Sequence, residues 1–163
     1  MAGSDLILFD EEYKKIQDAI GRLRKDASAQ SVFMIDKNGQ PIASAGDVAE
    51  IDATALASLT AGNVAATEGL ARLVGEKEFC ALFHEGERQN IHITLVGGKL
   101  ILVVVFDEKS SLGLVRLRVR KASGELTNIL TAVQDKSSGD RGTTFESPFA
   151  DITDEDIDNL FAD

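Results

Sequence analysis

Histidine and cysteine side chains are the first candidates for catalysis or metal binding, and this chain of 163 residues has two histidines and one cysteine. His84 and His92 fall on neighbouring predicted strands, and Cys80 lies close to His84 in the sequence. A zinc site would need a further ligand in a closed tetrahedral geometry. We therefore predict surface or sheet histidines, with no metal and no cofactor. Cys80, within the run EFCALF, is predicted to be a small buried apolar residue and not a reactive thiolate.

Two other patterns match catalytic or nucleotide-binding motifs only in part. The run Gly97-Gly98-Lys99 lacks the glycine spacing and the Ser or Thr after the lysine that a phosphate-binding loop requires, so we predict a hairpin turn there. No serine falls on a strand-turn-helix elbow with His and Asp partners. The carboxylates cluster towards the C-terminus without the ordered pair of a glycosidase. The sequence therefore predicts a binding or regulatory module without an active site of its own.

The charge balance argues against several classes of partner. A formal net charge of −10 disfavours nucleic acid, which requires a basic surface, and anionic membrane surfaces. No apolar run has membrane-spanning length, and the first residues lack the basic region of a signal peptide. A single cysteine cannot form an internal disulfide, so the sequence favours a reducing cytoplasm.

Hydrophobic periodicity predicts elements in the order α-β-β-α-β-β-β-α. The pairs Asn38-Gly39 and Gly97-Gly98 mark two hairpins, and the continuously apolar run 100–106 is typical of a central strand. The fold class is therefore α+β, a three-layer α/β/α sandwich. Its five-stranded, mainly antiparallel sheet carries the central helix on one face and the N- and C-terminal helices on the other. The predicted helices cover residues 11–25, 52–75 and about 111–134, and the strands cover 31–36, 41–45, 78–84, 90–96 and 100–106.

The predicted central helix, with Asp52 as N-cap and Gly75 as C-terminal stop, carries two kinds of row. A leucine row at helical spacing is predicted to hold the helix on the sheet, and it consists of Leu56, Leu59, Asn63, Ala66, Leu70 and Leu73. Rows of small residues lie beside it, namely Ala57, Ala61, Ala65 and Gly69, with Ser58, Gly62 and Ala66. A face this small admits another backbone at short distance, either the chain's own sheet or a partner protein.

The C-terminal quarter changes composition, so we divide the chain into a domain at 1–134, a flexible linker at 135–147 and an acidic amphipathic segment at 148–163. From residue 147 onwards there are six acidic residues and no basic one. One interpretation is a solvated acidic tail. The other is a recognition segment that docks through its apolar side chains, which are Phe149, Ile152, Ile157, Leu160 and Phe161.

Five segments carry a resemblance to a known family. They are 36–46 (DKNGQPIASAG), 51–76 (IDATALASLTAGNVAATEGLARLVGE), 83–86 (FHEG), 111–123 (SLGLVRLRVRKAS) and 147–161 (SPFADITDEDIDNLF). With the order of the elements, they resemble the Roadblock / dynein light chain family, and within it the bacterial members that regulate a Ras-like GTPase. The resemblance covers almost the whole chain and is most specific in the central helix and the tail.

The resemblance implies a homodimer whose central helices lie side by side and whose edge strands join into one sheet. It implies the GTPase-activating partner of a small Ras-like GTPase of the MglA type, acting in cell polarity and gliding motility and concentrated at a cell pole. The dimer would reposition the GTPase's own catalytic residues without inserting an arginine finger. The C-terminal segment would dock on a separate surface of the GTPase and favour nucleotide exchange.

On this basis we predict three sets of contact residues. The GTPase-binding set lies away from the leucine row and consists of Ala61, Ala65, Glu68, Gly69 and Arg72. The dimer set consists of Ala57, Asn63, Phe79 and Ala81. The C-terminal docking set is the five apolar residues of the tail, Phe149, Ile152, Ile157, Leu160 and Phe161.

Several residues have a second interpretation. Asn63 could fix the register of paired helices or cap a carbonyl within its own subunit. Glu68 and Arg72 could pair with each other on a solvated face. Arg72 and Arg88 are the candidates if the chain supplies an arginine to the GTPase. The chain could also be a Roadblock scaffold that leaves hydrolysis unchanged, or a small-molecule sensor, although the sequence shows no set of convergent polar groups for a ligand.

Overall fold

The computed structural model describes the backbone of residues 10–144 and the side chains of residues 10–135. Its elements follow the predicted order α-β-β-α-β-β-β-α. The helices are α1 (Asp10–Asp26), α2 (Ala53–Leu73) and α3 (Leu112–Thr144), and the strands are β1 (Ser31–Asp36), β2 (Pro41–Gly46), β3 (Ala81–Glu85), β4 (Asn90–Val96) and β5 (Leu100–Phe106). The predicted α+β class and the five-stranded antiparallel sheet are confirmed.

The sheet has the strand order β2-β1-β5-β4-β3, and all four pairings are antiparallel. β5 lies in the middle, where every residue is buried, as its continuously apolar sequence predicts. The hairpin turn before β5 contains Gly97 and Gly98 at φ 60° and 70°, a region that glycine adopts without steric cost. β2 and β3 are the two edges of the sheet, so the long α2 connection carries the chain from one edge to the other.

Two apolar layers enclose the sheet. On one face, α1 and α3 pack through Ile16, Ile20, Val119 and Leu126, among others, against alternate residues of β1 and β5. On the other face, α2 packs through Ala57 and Val64 against side chains that include Phe33, Ile101 and Val103. Alternate strand residues point to opposite faces, so β5 serves both layers at once.

Helix α2 has two rows with the spacing needed to pack on a sheet, and the structure buries the less apolar of them. The buried row is Ala57, Thr60, Val64, Thr67 and Ala71. The predicted leucine row is therefore wrong as a sheet contact, because Leu59, Leu70 and Leu73 are 75%, 58% and 82% exposed. Only Leu56 of the four leucines packs against this core, and it does so partly.

The sheet beneath α2 explains this choice. It presents large side chains, among them Phe33, Ile35 and Ile101, which already fill the layer. Small residues on α2 bring the helix close to those side chains and restore dense packing. The hydroxyl of Thr67 is satisfied within the helix, because Oγ1 donates to the carbonyl of Asn63 at 2.8 Å. The small side chains on the buried face of α2 therefore allow close packing on the chain's own sheet.

The ends of α2 follow the predicted signals, whereas the end of α3 does not. Asp52 is the N-cap, and its side chain accepts from the amide of Ala55 at 3.1 Å. Gly75 follows the C-cap at φ 82°. Helix α3 continues to Thr144, so most of the predicted linker at 135–147 is helical. Once a helix is nucleated, each further residue adds a backbone hydrogen bond, which favours the continuation of α3 beyond residue 134.

Two further observations concern the extent of the described structure. No helix in the part that the structure describes is long and apolar enough to cross a membrane. The predicted docking residues Phe149, Ile152, Ile157, Leu160 and Phe161 lie outside the described residues, as does the segment 148–163 that contains them.

Candidate protein-interaction surface on helix α2

The exposed side of α2 divides into two flanks. The first, which we call the leucine flank, consists of Leu59, Asn63, Ala66, Leu70 and Leu73, all of them exposed. The second, which we call the small-residue flank, consists of Ala61, Ala65, Glu68, Gly69 and Arg72. Residues three and four apart share a helix face, so each flank is a continuous strip along the helix.

The leucine flank lies on the side of the edge strand β3. Asn63 fixes this position, because its Nδ2 lies 3.5 Å from Nε2 of His84 in β3. Both residues are exposed, so the contact lies at the surface and not in the core. Asn63 therefore contacts a side chain of its own subunit. The leucines of the same flank, Leu59, Leu70 and Leu73, are 75%, 58% and 82% exposed.

Strand β3 is itself an open edge. It pairs with β4 on one side, and the described residues place no strand on its other side. Ala81 begins the strand and is exposed, and Phe79 just before it is 39% exposed. Cys80 between them is also exposed, so its prediction as a buried residue is wrong. β3 is shorter than the predicted strand 78–84 and begins at Ala81, so Cys80 precedes it, and no residue of this edge strand is fully buried.

The small-residue flank lies on the opposite side, beside the β1–β2 turn. Asp36 organises this turn, since its Oδ1 accepts from the amides of Asn38 and Gln40 at 2.9 Å. The turn reaches α2 at two points. At the first of them, Lys37 Nζ lies 3.2 Å from Glu68 Oε1.

The second point of contact is Gly39, where the turn backbone approaches α2 closely. A Cβ built on Gly39 would lie 3.2 Å from the Cα of Ser58 and 3.6 Å from the Cβ of Ala61. Gly39 also has φ 88°, so a side chain there would be strained as well as crowded. The turn therefore forms one wall of the small-residue flank.

The structure brings the five predicted GTPase-binding residues together on this flank. Glu68 pairs with Lys37 across to the turn, and not with Arg72 as the i, i+4 spacing suggested. Arg72 is exposed, and its Nε donates to the carbonyl of Glu68 at 3.4 Å. Gly69 faces open space, because a Cβ placed there meets no atom within 4 Å. The flank is thus shallow, with a charged pair on one side and helix backbone accessible at its centre.

Of the four predicted dimer residues, the structure places three at the surface and one in the core. Asn63, Phe79 and Ala81 are exposed, and Phe79 and Ala81 border the crevice between α2, β3 and β4 together with Glu68. Ala57 is 0% exposed and packs in the α2 core, so its assignment to a dimer contact is corrected. The alternating small residues of α2 made Ala57 look equivalent to Ala61, but the helix turns it towards the sheet.

The two histidines lie in different environments. His84 is exposed at the edge, whereas His92 is buried between the sheet and α3, with Nδ1 3.1 Å from Thr94 Oγ1. Burial lowers the pKa of His92 below its usual value of 6.5, and the positive charge of Arg116 lowers it further. Within the described residues, no group of three or more His, Cys, Asp or Glu side chains could hold a metal ion.

Two depressions lie in the described surface, and they differ in size. A crevice of about 10 Å³ lies between α2, β3 and β4, against roughly 300–1,000 Å³ for typical ligand pockets. An open depression of about 440 Å³ between α1 and α3 is lined by Lys15, Asp18, Arg22, Glu125, Asn128, Ile129 and Ala132. Arg22 and Glu125, two of its four charged lining residues, form an ion pair with each other. The exposed flanks of α2 are the more distinctive feature.

The fold and its open edge can be compared with known proteins. The Roadblock/LC7 domain matches residues 15–106, from α1 to the end of β5. The chain belongs to the Roadblock/LC7 family. This confirms the resemblance inferred from the sequence segments, and it identifies the fold as one of regulators rather than of enzymes with their own active site.

Three solved Roadblock/LC7 structures are especially similar to this chain. Myxococcus xanthus MglB is 55% identical, with a TM-score of 0.74, and the match covers 78% of this chain and 96% of that one. The gliding protein MglB from Thermus thermophilus is 31% identical, with a TM-score of 0.74 over 80% and 99% of the two chains. An MglB described with a tetrameric arrangement is 30% identical, with a TM-score of 0.76 over 81% and 99%. None of the curated proteins matches the chain significantly.

Proposed function

We propose that this chain is a homodimeric regulator of a small Ras-like GTPase of the MglA type, and that it stimulates GTP hydrolysis in a pathway of cell polarity and gliding motility. The observation that carries the proposal is that α2 exposes two different flanks on either side of one helix. One flank is apolar and lies beside an open strand edge, so a second copy of the chain could bury its leucines. The other flank is shallow and partly charged, so a loop of a partner protein could approach the helix backbone there.

The leucine flank and β3 form the dimer contact. Leu59, Leu70 and Leu73 together would gain several kcal/mol on burial, at about 1.5–3 kcal/mol for each fully buried leucine. An open edge strand presents unpaired backbone groups that a second copy of the same strand can satisfy. In a two-fold dimer each surface meets its own copy, so α2 would pair with α2 and β3 with β3. The tetrameric MglB is consistent with self-association in this family.

The small-residue flank contacts the GTPase. With Gly69 open and Ala65 exposed, a loop of the GTPase can approach the α2 backbone closely. Phosphoryl transfer by GTPases depends mainly on the positioning of groups and the stabilisation of charge. A rigid helix that presses on a mobile loop of the GTPase can therefore raise the rate by moving the GTPase's own catalytic residues into place.

An arginine supplied by this chain is the alternative source of rate enhancement. Arg72 is exposed on the small-residue flank and Arg88 is exposed in the β3–β4 turn. An arginine finger raises GTPase kcat by roughly 10³ to 10⁵. We assign Arg72 a contact role instead, because its guanidinium already donates to the Glu68 carbonyl on its own helix. Replacing Arg72 or Arg88 by Ala should therefore leave most of the stimulated rate at a saturating concentration of this chain.

The segment 148–163 is proposed to dock on a second surface of the GTPase and to favour nucleotide exchange. Its acidic and apolar composition supports a recognition role rather than simple solvation. Val133 is the last buried side chain in the described part of α3, so removing 148–163 leaves the described core complete. We expect that deletion to weaken GTPase binding or to slow exchange without unfolding the chain.

Co-purification with the Ras-like GTPase of the same organism, loaded in turn with GDP and with a non-hydrolysable GTP analogue, tests the proposal. We expect retention of the GTP-analogue form, with less retention after deletion of 148–163. Binding without any change in hydrolysis would indicate a Roadblock scaffold. No retention of either form would contradict the proposal.

A further inference from the structure

The outward face of the first half of α3 carries a basic patch that the proposed function does not use. We define the α3 basic patch as Arg116, Leu117, Arg120 and Lys121. The segment 112–124 has four basic residues and no acidic one, although the chain has a net charge of −10. The three cationic residues of the patch are exposed, and Leu117 among them is 59% exposed.

The patch is one continuous surface on the helix. Arg116 and Arg120 are four residues apart, as are Leu117 and Lys121, so the four side chains form two adjacent rows. Gly113 and Gly124 lie above and below Leu117 on the same face, and a Cβ added to either meets no atom within 4 Å. The surface is therefore open at both ends, with an apolar side chain between positive charges.

The cations of the patch have no neutralising partner in the described part of the chain. The ion pairs there join Lys15 to Glu11, Arg22 to Glu125 and Lys37 to Glu68, and none includes Arg116, Arg120 or Lys121. Like charges four residues apart on a helix cost a few tenths of a kcal/mol per pair. An acidic segment with apolar side chains would offset this repulsion and cover Leu117.

We propose that the α3 basic patch binds the acidic C-terminal segment 148–163 of the same chain. That segment has the complementary composition, with six acidic residues from 147 onwards, no basic one, and Leu160 and Phe161 near its end. Because the segment is covalently attached, its effective concentration at the patch is in the millimolar range. A free acidic protein of equal affinity would have to be present at a higher concentration to displace it. The patch thereby holds the segment on the chain when no other partner has taken it.

The length of the chain permits this contact. Leu117 lies about 40 Å before the end of α3 at Thr144, at 1.5 Å of rise per residue. The residues after Thr144 reach about 60 Å when extended, at roughly 3.3 Å per residue. The segment is therefore long enough for Leu160 and Phe161 to reach Leu117.

Paramagnetic relaxation in the full-length chain, without any GTPase, tests this proposal separately from the proposed function. A nitroxide is attached at Ala162→Cys in a Cys80→Ser background, so that only the segment carries the label. We expect selective broadening of the amide signals of residues 113–124. The charge reversal Arg116→Glu, Arg120→Glu, Lys121→Glu should remove the broadening, and so should 0.5 M salt, at which the Debye length falls to about 4 Å.

The matched control reverses three exposed lysines elsewhere, Lys14→Glu, Lys25→Glu and Lys99→Glu, with the same change in net charge. It should keep the broadening on α3. If the triple charge reversal on α3 unfolds the chain, the variant Leu117→Ser is used in its place. It should reduce the paramagnetic broadening of residues 113–124. Broadening that is absent, that is spread over the surface or that falls on α2 would overturn the proposal.

A sample that mixes spin-labelled chains at natural nitrogen abundance with ¹⁵N chains lacking the nitroxide distinguishes the source of the segment. We expect no broadening in that mixture. Broadening of residues 113–124 there would assign the contact to the segment of a second copy and would contradict an intramolecular site. If anionic vesicles or nucleic acid shift the patch signals while the segment leaves them unchanged, the patch belongs to that other partner and the proposal fails.

Discussion

Asn63 of α2 and His84 of β3 face each other at the edge of the sheet, with Nδ2 and Nε2 3.5 Å apart. This contact joins the leucine flank and the edge strand into one surface. The surface combines apolar side chains with an open strand, and in the proposed dimer a second copy of the same surface would satisfy both features. A partner that docks on this surface would therefore meet α2 and β3 together.

Replacing Leu70 by Glu should convert the dimer to a monomer. The substitution places a charge at the centre of the leucine flank, where dimerisation would have to desolvate it. The matched control is Leu117→Glu on α3, because Leu70 and Leu117 are 58% and 59% exposed. Sedimentation velocity should give a monomer for Leu70→Glu and a dimer for Leu117→Glu. A dimer in both variants would place the self-association surface elsewhere.

Enlarging Ala57 tests which row of α2 packs on the sheet. Ala57 is fully buried, so Ala57→Leu should lower the free energy of unfolding by about 1–3 kcal/mol through overpacking. Ala55→Leu is the control, because Ala55 is exposed on the same helix and the change there should stay within about 0.5 kcal/mol. Urea unfolding at one fixed protein concentration measures both, since dimerisation makes the apparent stability depend on concentration. Equal effects would contradict the observed orientation of α2.

His92 should make stability fall as the pH drops. Burial and Arg116 lower its pKa in the folded chain, so the unfolded chain binds the proton more readily. The stability that depends on neutral His92 is therefore fully present above pH 6.5 and is lost as the pH falls through the lowered pKa of the folded state.

Replacement of His92 by Gln isolates this contribution. Between pH 7.5 and pH 5, the urea midpoint of the unsubstituted chain should fall further than that of His92→Gln. Parallel curves for the two proteins would show that His92 does not contribute to the acid sensitivity. Because the variant also loses the Thr94 contact, only the slope with pH is compared, and not the stability at one pH.

The sequence predicted the element order, the hairpins and the caps of α2 because those features depend on local signals. Gly39, Gly97 and Gly98 occupy backbone conformations that few other residues adopt, and Asp52 supplies a side-chain acceptor at a helix start. The apolar run of β5 predicted its central place because a strand buried on both faces must be apolar at every position.

The orientation of α2 could not be predicted in the same way. Rows 57-60-64-67-71 and 59-63-66-70-73 have equal periodicity, and the second is the more apolar. Which row packs on the sheet depends on the size of the sheet's side chains. These side chains belong to strands that are distant from α2 in the sequence. The sequence pattern alone therefore assigns an exposed leucine row to the core and the buried Ala57 to an interface. An apolar row that exceeds what the sheet needs is itself a signal of a partner.

The GTPase surface is tested most directly by GTP turnover of the Ras-like GTPase of the same organism, with and without this chain. We predict that the unsubstituted chain raises the rate at least about tenfold, which is roughly 1.4 kcal/mol of barrier. Gly69→Arg should remove most of that stimulation, because the added side chain blocks the small-residue flank. The proposed dimer should persist, because a Cβ at this position has open space within 4 Å. Gly21→Arg, at a helical glycine of α1 that is equally open, should stimulate as the unsubstituted chain does. Full stimulation by Gly69→Arg, or no stimulation by the unsubstituted chain, would contradict the proposed role of this flank.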